Sequence, residues 1–149
     1  MNWSCKKFDE LTAHELYAIL QLRNEVFVVE QNCVFQDADN KDQQSFHLMG
    51  WEEKKLAAYT RIVPAGICYE ETSIGRVVTS PSSRRKGLGR ELMLQSLDTA
   101  HSLLGKDSVI KIGAQLYLKK FYESLGFAQT SEIYIEDGIE HIEMLLQKK

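Results

Sequence analysis

The sequence predicts a mixed α/β domain: a mostly antiparallel sheet of about seven strands, with a parallel part at its centre and helices on its faces. Three observations carry this. A hairpin pattern comes early, two strand–helix units occupy the middle, and a second hairpin pattern closes the chain. Two adjacent strand–helix units call for parallel neighbours, whereas hairpins call for antiparallel ones.

The elements follow in order. Residues 3–8 read as a short strand. Thr12 is a candidate helix N-cap with Glu15 three residues on, the capping-box spacing, and Leu16, Ile19, Leu20, Arg23 and Phe27 continue at helical spacing. Residues 13 to about 30 are therefore expected to be helical, with one break. Residues 36–44 are polar and acidic and read as a loop. Residues 46–52 and 56–63 read as strands joined by the turn at 53–55, and Pro64-Ala65-Gly66 ends the hairpin. Residues 72–79 are β-branched and read as a strand. Residues 81–86 form a loop, and 87–104 a helix carrying Leu88, Leu92, Leu94, Leu97 and Leu104. A short apolar strand at 109–113 precedes a helix at 116–124, which Gly126 stops. Strands at 127–134 and 141–146 are joined by a turn containing Asp137-Gly138.

A chain of 149 residues suits one domain, 1–149, and no linker, repeat or low-complexity tract divides it. The net charge of −3 argues against a nucleic-acid interface. Cys5, Cys33 and Cys68 are odd in number and widely spaced, so reduced thiols are expected rather than a disulfide framework or zinc site. The N-terminus lacks the apolar run of a signal peptide, and no stretch approaches the ~20 apolar residues of a membrane span. A cytoplasmic protein that engages neither membrane nor nucleic acid is the expectation.

The stretch from Gly75 to Met93 carries the chemistry. A β-branched strand enters a basic loop with Arg84, Arg85, Lys86, Gly87 and Gly89, which opens into an amphipathic helix. Free N–H groups and the positive dipole end of a helix favour an anion there, and glycines admit a phosphate closely. The nucleoside-triphosphate loop GxxxxGK[ST] and the dinucleotide fingerprint GxGxxG are both absent. An ordinary basic turn into a helix is the competing reading.

Arg84-x-x-Gly87-x-Gly89, between a strand and a long helix, resembles the acetyl-CoA signature (Gln/Arg)-x-x-Gly-x-(Gly/Ala) of the GNAT acetyltransferase superfamily. The later run from Gln115 through Phe121-Tyr122-Glu123-Ser124-Leu125-Gly126-Phe127 is similar to that family's second landmark. The segments at 26–33, Gln36-Asp37-x-Asp39, His47-Leu48-x-Gly50-Trp51 and 136–142 resemble the ElaA-like branch. The resemblance covers nearly the whole chain.

It implies a GNAT-like sheet that splays between its central parallel strands to admit acetyl-CoA. The pantetheine arm would pair with Val77, Val78 and Thr79. The pyrophosphate would be held by Arg84, Arg85, Lys86, Gly87, Leu88, Gly89 and Arg90. Gln115 stands where the family often has an asparagine, one methylene shorter. Tyr122 would protonate the leaving thiolate, and a packed tyrosine is the alternative. A strand N–H near Val78 would hold the oxyanion. The activity implied is direct acetyl transfer to an amine in a ternary complex, without a metal; a non-catalytic coenzyme A sensor or scaffold is the alternative. A possible homodimer is family habit. For the base, Gly75-Arg76 replaces the glutamate of some relatives. Glu30 and His47 are the candidates, against readings as a helix-end carboxylate and a strand-end hydrogen bond; His141 is a third, read as structural.

Asp37-x-Asp39-x-x-Asp42 fails as a calcium loop, because Asp42 stands at position six and Leu48 at position twelve. It reads as a solvated acidic loop able to attract a cationic acceptor.

Overall fold

The computed structural model describes residues 1–84 and 87–146. One eight-stranded sheet runs through it, in the order β1-β2-β3-β4-β5-β8-β6, with β7 also paired to β8. β1 (Asn2–Lys7), β2 (Phe46–Glu52), β3 (Lys55–Val63) and β4 (Thr72–Thr79) form an antiparallel meander. β5 (Ile110–Gln115) is parallel to β4 and antiparallel to β8 (Ile139–Leu146). β6 (Phe127–Gln129) and β7 (Tyr134–Glu136) share the outer edge of β8.

Helices cover both faces, so the central strands read as continuous apolar runs rather than alternating ones. α2 (Leu88–Leu104) lays Leu88, Leu92, Met93, Leu97 and Ala100 against Leu48, Ala58, Ile62, Ile74, Ile110 and Ile112. On the opposite face, α1 (Ala13–Arg23) and the turn after it pack Ile19, Leu22 and Val26 against Met49, Leu56, Tyr59 and Val78. Thr12 caps α1 as expected, with its hydroxyl accepting from Glu15 N–H and the Glu15 carboxylate accepting from Thr12 N–H.

Three local departures from the sequence reading have physical causes. The expected helix to residue 30 ends as α at Arg23 and continues as a π-helix, Asn24–Glu30, where Gln31 N–H donates to Val26 O and Cys33 N–H to Val28 O. The widened turn relieves a β-branched run, and such turns recur at functional sites. The helix expected over 116–124 is a 3₁₀ turn, Leu116–Leu118, followed by α3 (Lys119–Glu123). The strand expected at 127–134 is broken, because the Ser131 hydroxyl takes the Glu143 N–H and Thr130 N–H takes the Glu143 carbonyl. That detour separates β6 from β7.

Candidate active site

β4 and β5 pair only at Thr72–Ile110 and Ser73–Lys111. Beyond Ser73 the strands part, and the cause lies in β4. Arg61 faces Gly75 and Tyr59 faces Val78, so Arg76 and Val77 together oppose one residue of β3. This is a β-bulge, and Arg76 sits in it at φ 51°. The extra residue flips the strand's faces: Ile74 and Val77 both meet the α2-side core, and Val78 turns to the α1 side.

The bulge also decides which backbone groups face the opening. Ser80 N–H donates to Ala57 O at 2.8 Å, so the next pair inward, Ala58–Thr79, is of the kind whose backbone groups point away from each other. Thr79 thus turns its N–H and C=O into the wedge, while Val78 is bound to β3. Near Val78, the residue expected to offer a backbone N–H to the opening, it is thus the neighbouring Thr79 whose N–H faces it.

The wedge opens into a cleft of about 1010 Å³ that passes from the α2 end to the β7–β8 turn. At the α2 end, Gly87 precedes the helix at φ 87°, a left-handed conformation with no atom within 4 Å of where a Cβ would stand. Glu91 N–H donates to Gly87 O, the first bond of the helix, and Gly87 has no side chain to cap the turn. The N–H groups of Leu88, Gly89 and Arg90 therefore start a 17-residue helix without intrahelical acceptors. Arg84 spans the mouth: its Nε and Nη2 reach Thr79 Oγ1 and O at 3.3 Å, and its guanidinium grips Glu30 at 2.9 and 2.7 Å.

The expected site residues divide clearly. Val77, Val78, Thr79, Arg84, Gly89, Gln115, Tyr122 and Glu30 line the cleft. Gly87, Leu88 and Arg90 lie at the helix start just outside the lining; Leu88 points into the core and Arg90 donates to Ser124 Oγ at 3.1 Å. Arg85 and Lys86 lie outside the described residues. Gln115 donates to Gln31 Oε1 at 3.4 Å, tying β5 to the π-helix. Tyr122 is buried against Phe121 and Phe127, and burial pushes its phenol up to about 12.

Neither expected base is suited to that work. His47 is fully buried on β2, away from the cleft: Nδ1 meets Tyr59 Oη at 2.6 Å, Nε2 meets the Asp42 carbonyl at 2.9 Å, and burial lowers its pKa. Both nitrogens are occupied, so the structural reading replaces the catalytic one. Glu30 lines the cleft, but its hydrogen bond to Arg84 holds its carboxyl below the ordinary range and commits both oxygens.

The acidic loop is also corrected. Asp37, Asp39 and Asp42 are clamped by arginines from three elements. Arg23 of α1 reaches Asp37 at 2.6 Å and Asp42 at 2.8 Å; Arg61 of β3 reaches Asp39 at 2.8 Å and Asp42 at 2.9 Å. Arg76 Nε lies 2.8 Å from Asp37 Oδ1, off the N–H axis. Burial, the largest influence, would raise Asp39 and Asp42, but their partners together outweigh it, with Arg61 foremost at Asp39 and Arg23 with Arg61 at Asp42, and both stay below the usual carboxylate range. The loop is a fixed cleft wall with its charge already balanced.

The far half of the cleft was missed by sequence reasoning. Cys33, Tyr69, Gly113, Tyr134, Glu136, His141 and Glu143 meet there. Cys33 and Glu136 stand only in segments of family resemblance, and His141 alone is named from the sequence, as the third candidate base and read as structural. Among the described residues, no group of three His, Cys, Asp or Glu side chains is placed to hold a metal, and no helix is long and apolar enough to cross a membrane.

A sheet wedged open between parallel strands, above an uncapped glycine-led helix, defines the acyltransferase class of α/β fold. The family model described as "Acetyltransferase (GNAT) domain" matches residues 12–148, and the chain belongs to that family. It is 42% identical to the protein ElaA of Escherichia coli over 146 residues, covering 97% of this chain and 95% of that one. It superposes on the crystal structure of E. coli ElaA with a TM-score of 0.92 at 40% identity, covering 99% of this chain and 100% of that one. An acyl-CoA N-acyltransferase from Pseudomonas aeruginosa matches with a TM-score of 0.92 at 42% identity over 97% of each chain.

Proposed function

We propose that the protein transfers the acetyl group of acetyl-CoA to a primary amine, directly and within a ternary complex, as one domain spanning residues 1–149. The observation that carries this reading is the unpaired edge of β4, with Thr79 turned outward, leading to the uncapped start of α2.

The residues fit the coenzyme. The backbone of Val77 and Thr79 would extend the sheet toward a pantetheine amide. The N–H groups of Leu88, Gly89 and Arg90 would hold the pyrophosphate, with Arg84 beside them. When bound, acetyl-CoA supplies a thioester whose carbonyl carbon accepts the amine. Thr79 N–H stabilises negative charge on the carbonyl oxygen. Tyr122, kept protonated by burial across the neutral range, holds a proton for the departing sulfur.

The direct test is thiol release from acetyl-CoA by purified protein with a panel of amines: putrescine, glucosamine, lysine and a free-amino-terminal tripeptide. Amine-dependent thiol release with matching amide formation is expected. Coenzyme binding without turnover on any amine would leave a sensor or scaffold module as the better description.

A further inference from the structure

His141 begins the buried run of β8, paired in register with Gln115 at the open end of β5 and with Tyr134 of β7. Its side chain is 10% exposed and lines the cleft. Its ring lies nearly parallel to Tyr134, with centroids 5.8 Å apart, which fixes its plane. Nδ1 lies 2.7 Å from the Ile139 carbonyl oxygen. A carbonyl only accepts, so Nδ1 carries the hydrogen, and in the neutral ring Nε2 carries the lone pair. Nε2 is 3.9 Å from Glu136 Oε2, too long for a hydrogen bond but within ion-pair reach.

This is the arrangement of a base rather than of a structural histidine. His47 shows the contrast, with a partner on each nitrogen. The charged and titratable groups lining this half of the cleft with His141 are Glu136 and Tyr134 from β7, Asp137 from the turn after it, Glu143 on its own strand, Tyr69 from the segment before β4, and Cys33 after the π-helix. Lys111 on β5 is held by Glu143 at 3.0 Å, and Arg76 across the cleft by Asp37 and Asp39. Glu136, with Oε2 3.9 Å from Nε2, is the carboxylate placed to answer a positive charge on the His141 ring, or on a cationic acceptor.

We propose that His141 Nε2 is the base that deprotonates the acceptor amine, with Glu136 as its electrostatic partner, and that the acceptor is a cationic amine drawn in beside Glu136. The proposal rests on the acyl-transfer reading above. The acceptor arrives as an ammonium. One proton passes to His141 Nε2 and on to solvent. The freed nitrogen lone pair forms the N–C bond to the acyl carbon and the C–S bond breaks. Tyr122 gives its proton to the sulfur, and the second N–H proton, shed as the amide forms, restores Tyr122 through solvent. In sum, ammonium and thioester become amide, thiol and one released proton.

Two readouts test this. In histidine-¹⁵N-labelled protein without ligand, NMR should show the neutral His141 ring as the Nδ1–H tautomer. Glu136→Gln should leave that tautomer in place and raise the KM for the amine in turnover; an unchanged KM removes Glu136 from the proposal. An Nε2–H tautomer overturns the proposal whatever the activity. In turnover with acetyl-CoA and the amine panel, His141→Gln should lower kcat roughly 10²–10⁴-fold and abolish the acid limb of kcat/KM. Calorimetric acetyl-CoA affinity should stay within about twofold, since the ring stands in the acceptor half. Wild-type turnover that His141→Gln leaves intact sinks the His141 assignment alone. A wild-type protein silent on every amine sinks the acyl-transfer reading and this proposal with it.

Discussion

Arg84 and Glu30 meet in a two-pronged ion pair, at 2.9 and 2.7 Å, that joins the loop after β4 to the π-helix across the mouth of the cleft. Both side chains are substantially exposed, so solvent screens the pair and its weight in stability is small. Its role is positional, since it aims the Arg84 guanidinium and keeps Glu30 from accepting a proton. Glu30→Gln should leave the melting temperature nearly unchanged and keep turnover within a few-fold of wild type. A loss in kcat on the order of 10²–10⁴, measured by thiol release, would place Glu30 in the proton transfer after all.

The arginine–aspartate cluster makes the cleft wall sensitive to acid. His47 is buried neutral with its pKa lowered, so below about 6.5 the unfolded chain binds a proton that the folded chain refuses. Asp39 and Asp42 are depressed, so their stabilisation is complete above the unfolded carboxylate value of about 3.9 and is lost as the pH falls below it. The melting temperature should therefore fall in two stages on acidification, the first from about pH 6.5 and the second below about pH 4. Asp42→Ala, which strands Arg23 and Arg61 without a shared partner, should cost about 3–5 kcal/mol in urea unfolding at pH 7.

Trp3 of β1 lies over Gly50 of β2, its register partner. A Cβ at position 50 would stand 2.6 Å from the Trp3 ring. Gly50→Ala must push the indole aside, at a cost of about 1–3 kcal/mol, with a shift in tryptophan emission. Unchanged emission and stability would mean that the edge strand moves freely.

Tyr122→Phe keeps the ring packing against Phe121 and Phe127 and removes only the hydroxyl. It should lower kcat with little effect on the acetyl-CoA dissociation constant. Because burial pushes the phenol up to about 12, the wild-type rate should show no loss from Tyr122 ionisation up to about pH 10. Equal kcat in the two proteins would remove Tyr122 from the chemistry.

The glycine-led half of the cleft, proposed above to hold the coenzyme, was legible in the sequence because its determinants are local. Gly87 and Gly89 at the head of an amphipathic helix, after the β-branched run at 72–79, fix both the turn and the donor set. The far half, proposed above to receive the acceptor, was less legible, because it is assembled from distant segments. Tyr69 and Tyr134 have their hydroxyls 2.9 and 3.1 Å from the Cβ position of Gly113, and Cys33 donates to the Asp137 carbonyl at 3.0 Å across 104 residues. The same holds for Arg23, Arg61 and Arg76: nothing in their spacing marks them as partners of Asp37, Asp39 and Asp42, so the loop reads as solvated until the sheet brings them together. The bulge at Arg76 hid in a run of strand-forming residues, because the register that creates it depends on β3.

The most direct test of the account is a calorimetric titration of acetyl-CoA into wild type and Gly89→Glu. Position 89 lies in the first turn of α2, and the nearest atom to a Cβ there is the Phe121 ring at 4.0 Å. Replacing glycine with glutamate should stabilise the helix by about 1 kcal/mol, through propensity and the dipole, so the variant should fold at least as well as wild type. Its carboxylate would occupy the anion site. Micromolar binding by wild type, lost by at least tenfold in a variant that melts no lower, is the predicted result. Equal affinity in the two proteins, or no binding by wild type, would contradict the assignment of the β4–α2 wedge as the coenzyme site.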